Sequence, residues 1–170
     1  MKKFIVSILS FLILLNFNAQ ELEIQSEKAQ IQFNYVGEQT IGSISGVSGK
    51  IVFNSSNLSE SYFEAKANIK SINTSNKTRD KHLNTADYFH TDKYPEIIFV
   101  GNEVSMVENK YIVKGSMTIK DITLPSEISF TFQDNTFTGK TIIYSNDYNL
   151  HKRKKREDSK ILVKITVPII

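Results

Sequence analysis

Three observations predict an all-β fold for this chain. Apolar and polar residues alternate in short runs bounded by Asn, Asp, Ser and Gly, no helical periodicity lasts beyond two turns, and no unit recurs at the roughly 20–50-residue spacing of solenoids. About eight strands result. Strands so regular either form a two-sheet sandwich or close into a barrel, and both bury the same alternate residues, so periodicity does not separate the two.

The chain opens on Met1-Lys2-Lys3, an apolar run over residues 4–15, and Asn16-Phe17-Asn18-Ala19-Gln20, the layout of a secretory signal peptide. The run is shorter than the roughly 20 residues a spanning helix needs. Cleavage is expected after Ala19, giving a signal peptide over 1–19, one β-domain over 20–170, and a periplasmic or secreted product. After cleavage 19 basic residues face 18 acidic ones, a net +1. That balance and the exported compartment exclude nucleic acid as a general partner. With no cysteine, the chain has no disulfide, no lipidated cysteine and no thiolate nucleophile.

Residues 29–36 alternate with Ile31, Phe33 and Tyr35 on one face, a half-buried strand. Residues 41–49 read as a strand thinned by glycine and serine, and four of the seven glycines fall between Gly37 and Gly49, where they suit bends in a curling sheet. Residues 50–53 form the next strand. Residues 62–69 then place Phe63, Ala65, Ala67 and Ile69 together. Beyond residue 95 come a strand over 96–106, a turn at Asn109-Lys110, and a strand over 111–119 with Val113 and Met117 on its apolar face. Pro125 opens a strand that continues over 127–132. A turn at Gln133-Asp134-Asn135 leads to a strand over 137–144, and 160–167 close the domain with Ile161, Val163, Ile165 and Val167 aligned.

The stretch between the two middle strands is the least regular. Asn73 to Asn76 are residues that hydrogen-bond their own backbone and end extended structure. Residues 78–83 can form one or two helical turns with Asn76 as N-cap, and Thr85, Ala86 and Asp87 begin another short turn. Leu83, Tyr88 and Phe89 give this segment an apolar underside, as befits a small helical cap resting on the strands. Because the segment is too long for a tight turn, the strands on either side of it are expected to sit apart.

At these residues a resemblance emerges. Ser71-Ile72, Thr78-x-Asp80-x-His82-Leu83, Ala86-Asp87-Tyr88-Phe89, Tyr94-Pro95-x-Ile97-x-Phe99 and Gly115-x-Met117-x-Ile119 follow the signature order of the YceI-like family, and the likeness extends from about residue 29 onward. The resemblance implies an antiparallel eight-stranded lipocalin-like barrel with a short helical cap, and an exported protein that sequesters or carries a polyprenyl chain or isoprenoid quinone inside without chemical turnover. It implies no cofactor beyond such a bound lipid. The chain departs from the family at Tyr35-Val36-Gly37, where a histidine is common, and over 144–150, where an arginine and a glycine are usual. Both departures fall at the head-group end.

On this reading the inward-facing residues Phe33, Tyr35, Phe53, Phe63, Ala67, Phe99, Val113, Met117, Phe130, Phe137, Ile143, Val163 and Ile165 line the ligand, joined by His82 and Phe89 from the cap. Affinity then comes from buried hydrocarbon, at roughly 0.8 kcal/mol per CH₂ before ordering costs. The competing readings are a closed interaction domain with a solid core, and a hydrolase using His82 with Asp80 and Asp87. Asp80, His82, Asp87, His90 and Asp92 lack the spacing of a metal site, and no G-x-S-x-G elbow occurs. Arg79 and Asp80 are expected to make local salt bridges or cap turns. The basic run Lys152-Arg153-Lys154-Lys155-Arg156 is expected in a solvated hairpin loop, with transient contact to anionic lipid head groups as its functional alternative. The remaining partner expectation is a second copy of the chain in a homodimer.

Overall fold

The computed structural model describes residues 21–150 and 153–170. The signal-peptide expectation, and His151 and Lys152 of the basic loop, lie outside the described residues. The strands are β1 (Glu21–Leu22), β2 (Gln30–Tyr35), β3 (Thr40–Ile44), β4 (Val47–Val52), β5 (Tyr62–Asn68), β6 (Glu96–Val107), β7 (Lys110–Ile119), β8 (Ile122–Gln133), β9 (Thr136–Tyr144) and β10 (Lys160–Pro168). One short helix, α1 (Lys77–Leu83), lies between β5 and β6. All ten strands belong to one antiparallel sheet in the order β1-β4-β5-β6-β7-β8-β9-β10-β2-β3.

The sheet curls until its ends approach. Near the cap, Ser43 of β3 exchanges two backbone hydrogen bonds with Asn73, each 2.9 Å. At the opposite end Ile24, just past β1, bridges Ile169, just past β10. The outcome is a curled half-barrel of ten strands, not the eight expected. β1 is too short to show any alternation. The glycine-thinned run is not one strand over 41–49 followed by 50–53, but two strands meeting at Ser45-Gly46. Gly46 has φ +69°, which turns the corner, whereas Gly49 stays inside β4 at φ +139°, where a Cβ would stand 1.9 Å from the Glu64 carbonyl oxygen.

A second correction concerns the middle strands. β5 and β6 do not sit apart: they pair directly, with Ala67 opposite Ile97 and Asn68 opposite Glu96. The excursion over residues 69–95 leaves and rejoins the sheet at neighbouring strands and folds across the barrel end. The cost of closing a loop grows only logarithmically with its length, so a long connection does not forbid adjacency. Pro125 likewise lies within β8 instead of opening it, opposite Ser116 of β7. That half of β8 has no strand on its other side, an edge setting of the kind where proline is tolerated. The hairpin turns fall on Glu108-Asn109 and Asp134-Asn135, whose φ values of 47°, 63°, 48° and 53° suit two-residue hairpin loops.

At the end away from the cap the interior is filled mainly by aromatic rings. The Phe53 ring lies 5.0–6.1 Å, centroid to centroid, from Phe63, Tyr111, Phe130, Phe132 and Phe137, mostly edge to face. Phe132 stacks on Phe137 at 4.4 Å. Phe63, Phe99, Val113, Phe130 and Phe137 are all buried there. The alternating sides of β4 to β9 thus meet in an aromatic floor.

Candidate functional site: an apolar chamber under a polar cap

Above the floor the walls separate. A chamber of about 380 Å³ lies between β2, β10 and β9 on one side and α1 with the loop that follows it on the other. Its lining is dominated by Ile31, Phe33, Ile44, Ile72, Leu83, Phe89, Ile97, Met117, Ile119, Ile143, Ile161, Val163 and Ile165. Ile31, Phe33, Ile143, Ile161, Val163 and Ile165 point inward yet remain only half buried. β-Branched side chains are too short to bridge the barrel, so this stretch of wall does not fill itself. A smaller void of about 110 Å³ continues toward the floor and shares Ile31, Ile97, Met117 and Ile165 with the chamber.

The roof is held by a compact polar network. Asn76 caps α1 as expected, its side chain accepting from the backbone N–H of Thr78 and Arg79 at 3.1 and 3.0 Å. Arg79 and Asp80 meet through buried Thr74 instead of pairing with each other. Arg79 donates through Nε to the Thr74 hydroxyl (2.8 Å), through Nη2 to the Thr74 carbonyl (2.9 Å) and through Nη1 to the Thr40 hydroxyl (3.3 Å). The Thr74 hydroxyl and N–H both donate to Asp80 Oδ1, at 2.6 and 2.9 Å. Asp80 is therefore committed to anchoring the cap, which weakens it as a catalytic partner for His82. His82 is exposed at the rim and borders the chamber. Asp87 is exposed on the same loop.

The opposite rim belongs to the loop between β9 and β10. Arg153 donates through Nε to the Tyr35 hydroxyl (3.1 Å) and pairs with Glu38, while the Tyr35 and Ser145 hydroxyls share a hydrogen bond of 3.2 Å. The Tyr35 hydrogen bond, with Glu38 nearby, holds the Arg153 guanidinium above its ordinary value. Arg156 makes two hydrogen bonds to Asp147, at 2.9 and 2.7 Å, and lies 3.6 Å over the Tyr144 ring. The basic run is thus not a uniformly solvated loop: Arg153 and Arg156 fold back onto the protein, and Lys154 and Lys155 are exposed.

Of the residues proposed from sequence, Phe33, Tyr35, His82, Phe89, Met117, Ile143, Val163 and Ile165 border the chamber. Phe63, Ala67, Phe99, Val113, Phe130 and Phe137 border only the smaller void, and Phe53 borders neither, because it sits in the middle of the aromatic floor. Ile31, Ile44, Ile72, Leu83, Ile97, Ile119 and Ile161 were missed. Ile31 and Ile161 lie two residues before Phe33 and Val163, so strand period alone identifies them, and Leu83 shares the cap's apolar underside with Phe89; Ile44 and Ile72 need the tertiary fold. Among the described residues, no three His, Asp or Glu side chains gather to hold a metal ion.

A curled antiparallel sheet around an apolar chamber, with a few polar groups gathered at its rims, has the form of a small-molecule binding pocket. The chain belongs to the YceI-like domain family, whose model matches residues 22–169. It is 37% identical over 84 residues to UPF0312 protein plu2095 of Photorhabdus laumondii, a match covering 49% of this chain and 44% of that one. It is 29% identical over 84 residues to Protein YceI of Escherichia coli O157:H7, with the same coverage. Matches to these curated relatives therefore span less than half of their length. Among solved structures, BcnA of Burkholderia cenocepacia superposes with a TM-score of 0.72 at 18% identity, over 85% of this chain and 98% of that one. A polyisoprenoid binding domain from Saccharophagus degradans, implicated in plant cell wall breakdown, superposes at 0.61 with 10% identity, over 86% and 95%. These neighbours share the fold, which is lipocalin-like.

Proposed function

We propose that the protein is exported and binds an isoprenoid-type lipid, a polyprenyl chain or isoprenoid quinone, in the chamber without chemical turnover. The observation that carries the reading is the stretch of inward-facing apolar wall on β2, β9 and β10 that stays half exposed. Such a wall is costly when wet and becomes favourable when hydrocarbon covers it, at roughly 0.8 kcal/mol per CH₂. Branched five-carbon units match a slot walled by isoleucine and valine, and the polyisoprenoid-binding neighbour supports that class of chain. Tyr35, Ser145, Thr40 and His82 border the chamber near its polar rims and would meet a head group there. The solid-core alternative does not suit the cap-side half, where the walls fail to touch.

Mass spectrometry of an organic extract of the purified protein tests this directly, alongside titration with a fluorescent polyprenyl probe and a quinone. The expected result is a copurifying isoprenoid or saturable uptake of one probe. A lipid-free preparation that takes up neither overturns the reading.

A further inference from the structure

The β8–β9 ladder is incomplete. β8 pairs with β7 without a break from Tyr111 opposite Phe130 to Ile119 opposite Ile122. β9 pairs with β10 as far as Tyr144 opposite Lys160. Yet β8 and β9 pair with each other only from Gln133 opposite Thr136 to Ser129 opposite Lys140. Past that point one hydrogen bond, from the Thr141 hydroxyl to the Glu127 carbonyl at 2.8 Å, holds them together. The strands then diverge, and a groove of about 850 Å³ opens on the outside between Leu124, Pro125 and Ser126 on one bank and Ile142 and Tyr144 on the other. Phe33, Thr141, Ile143 and Val163 border both this groove and the chamber.

Beside the opening, the alternation of apolar and polar residues breaks down. Ile142 and Ile143 are consecutive, as are Ile161, Leu162 and Val163, so the sheet is apolar on both faces at this one level. On the outside, Ile142 pairs with Leu162, Leu162 with Asn34 and Asn34 with Ile41, a single cross-strand row. Ile142, Leu162 and Ile41 are 49%, 42% and 70% exposed. The next row toward the floor holds Lys140 opposite Lys164, and the next toward the loop holds Lys160 opposite Tyr144. In the groove lining, Asp147 is neutralised by Arg156 at 2.7 Å, which leaves Lys140 and Lys164 against Glu127.

We infer that this outer face of β9, β10, β2 and β3 docks on an anionic lipid bilayer, with the β8–β9 opening turned toward the membrane. Aliphatic side chains flanked by lysines match the two layers of a bilayer surface, acyl chains below and anionic phosphates around them. A lysine stem lies along apolar surface while its ammonium stays at head-group level. The purpose of such docking, lateral passage of a lipid between bilayer and chamber, rests on the lipid-binding reading; the docking itself is measured without it.

Flotation with vesicles of phosphatidylcholine, with and without phosphatidylglycerol, is the test. The wild-type chain is expected to float with the anionic vesicles and less with the neutral ones. Ile142→Ser with Leu162→Ser should lower the floating fraction by about tenfold, since both side chains leave an apolar contact. Met106→Ser with Val107→Ser, at exposed aliphatic residues of the β6–β7 hairpin, should leave it unchanged. The Ile142/Leu162 variant should still take up a detergent-dispersed polyprenyl probe, which reports an intact fold and chamber. No flotation of the wild type, equal flotation of the two double variants, or a concentration-dependent dimer that dissociates on Ile142→Ser/Leu162→Ser each overturns the proposal. Flotation without any probe uptake overturns the lipid-binding reading and leaves the docking face standing.

Discussion

The two ends of this half-barrel are built on the same alternation and come out opposite. Toward the floor, the end of β4 and strands β5, β8 and β9 send in Phe53, Phe63, Phe130, Phe132 and Phe137, whose rings meet within 4.4–6.1 Å. Toward the cap, β2, β9 and β10 send in Ile31, Ile143, Ile161, Val163 and Ile165, whose branches end before they meet the other wall. Whether a small barrel is solid or hollow thus depends on side-chain reach, not on hydrophobicity. The floor supplies stability and the chamber supplies a place for a ligand.

The sharpest way to break that contrast is to truncate one residue from each end. Phe130, buried among four aromatic neighbours, should lose about 3–5 kcal/mol of stability as Phe130→Ala. Val163→Ala, in a wall that already faces a cavity, should lose about 1 kcal/mol or less. Urea unfolding of the apo protein measures both. Equal losses would mean the chamber wall is packed as tightly as the floor.

Enlarging side chains should move the chamber's response from stability to binding. Val163→Phe places a ring in the chamber and should weaken probe uptake by at least about tenfold, or 1.4 kcal/mol, while leaving the urea midpoint nearly unchanged. Val113→Phe places the same ring on a side chain only 2% exposed, beside a void of only about 110 Å³, and should cost about 1–3 kcal/mol of stability through overpacking. Binding and unfolding measured on both variants separate hollow from full.

A smaller effect is expected at the roof. Thr74→Val keeps the side chain's shape and removes the hydroxyl that joins Arg79 to Asp80. Loss of about 1 kcal/mol should follow, discounted because both partners are partly exposed. It should appear chiefly as faster amide exchange in α1, with the floor's amides unmoved.

How much of this was readable beforehand follows from the same physics. Strand period placed Phe33, Val163 and Ile165 inward, and Asn76 announced the helix cap, because these signals are local; the end of extended structure was set too late, since β5 stops at Asn68 and a 3-10 turn takes Ile69–Ser71. The family signature covered the cap and its flanking strands. What escaped were matters of tertiary pairing. The adjacency of β5 and β6, the separation of β8 from β9, and the difference in reach between Phe53 and Val163 leave no local trace, since each depends on what stands across the barrel. The corner at Gly46 was misplaced for a related reason: Gly49 carries the same sequence signal, but its freedom serves a close approach to Glu64, not a turn.

The smallest effect concerns the ion pair between the cap loop and the turn that follows β5. Lys70 Nζ lies 3.0 Å from Asp92 Oδ1, and that hydrogen bond, then the ammonium charge, holds the Asp92 carboxyl below its ordinary value. A depressed carboxyl stabilises the fold above its unfolded pKa, near 4, and the contribution is lost as pH falls through the lower folded value. The Asp92 side chain is 89% exposed, however, and solvent screens such a pair. Asp92→Asn should therefore leave both the neutral-pH midpoint and the acid limb of an unfolding profile indistinguishable from wild type, even at low salt. If Asp92→Asn instead removes stability that the wild type loses only below pH 4, the roof is held from its solvent side, and Thr74→Val should then prove nearly silent. The two variants thus decide whether the chamber is closed by its buried network or by its surface charges.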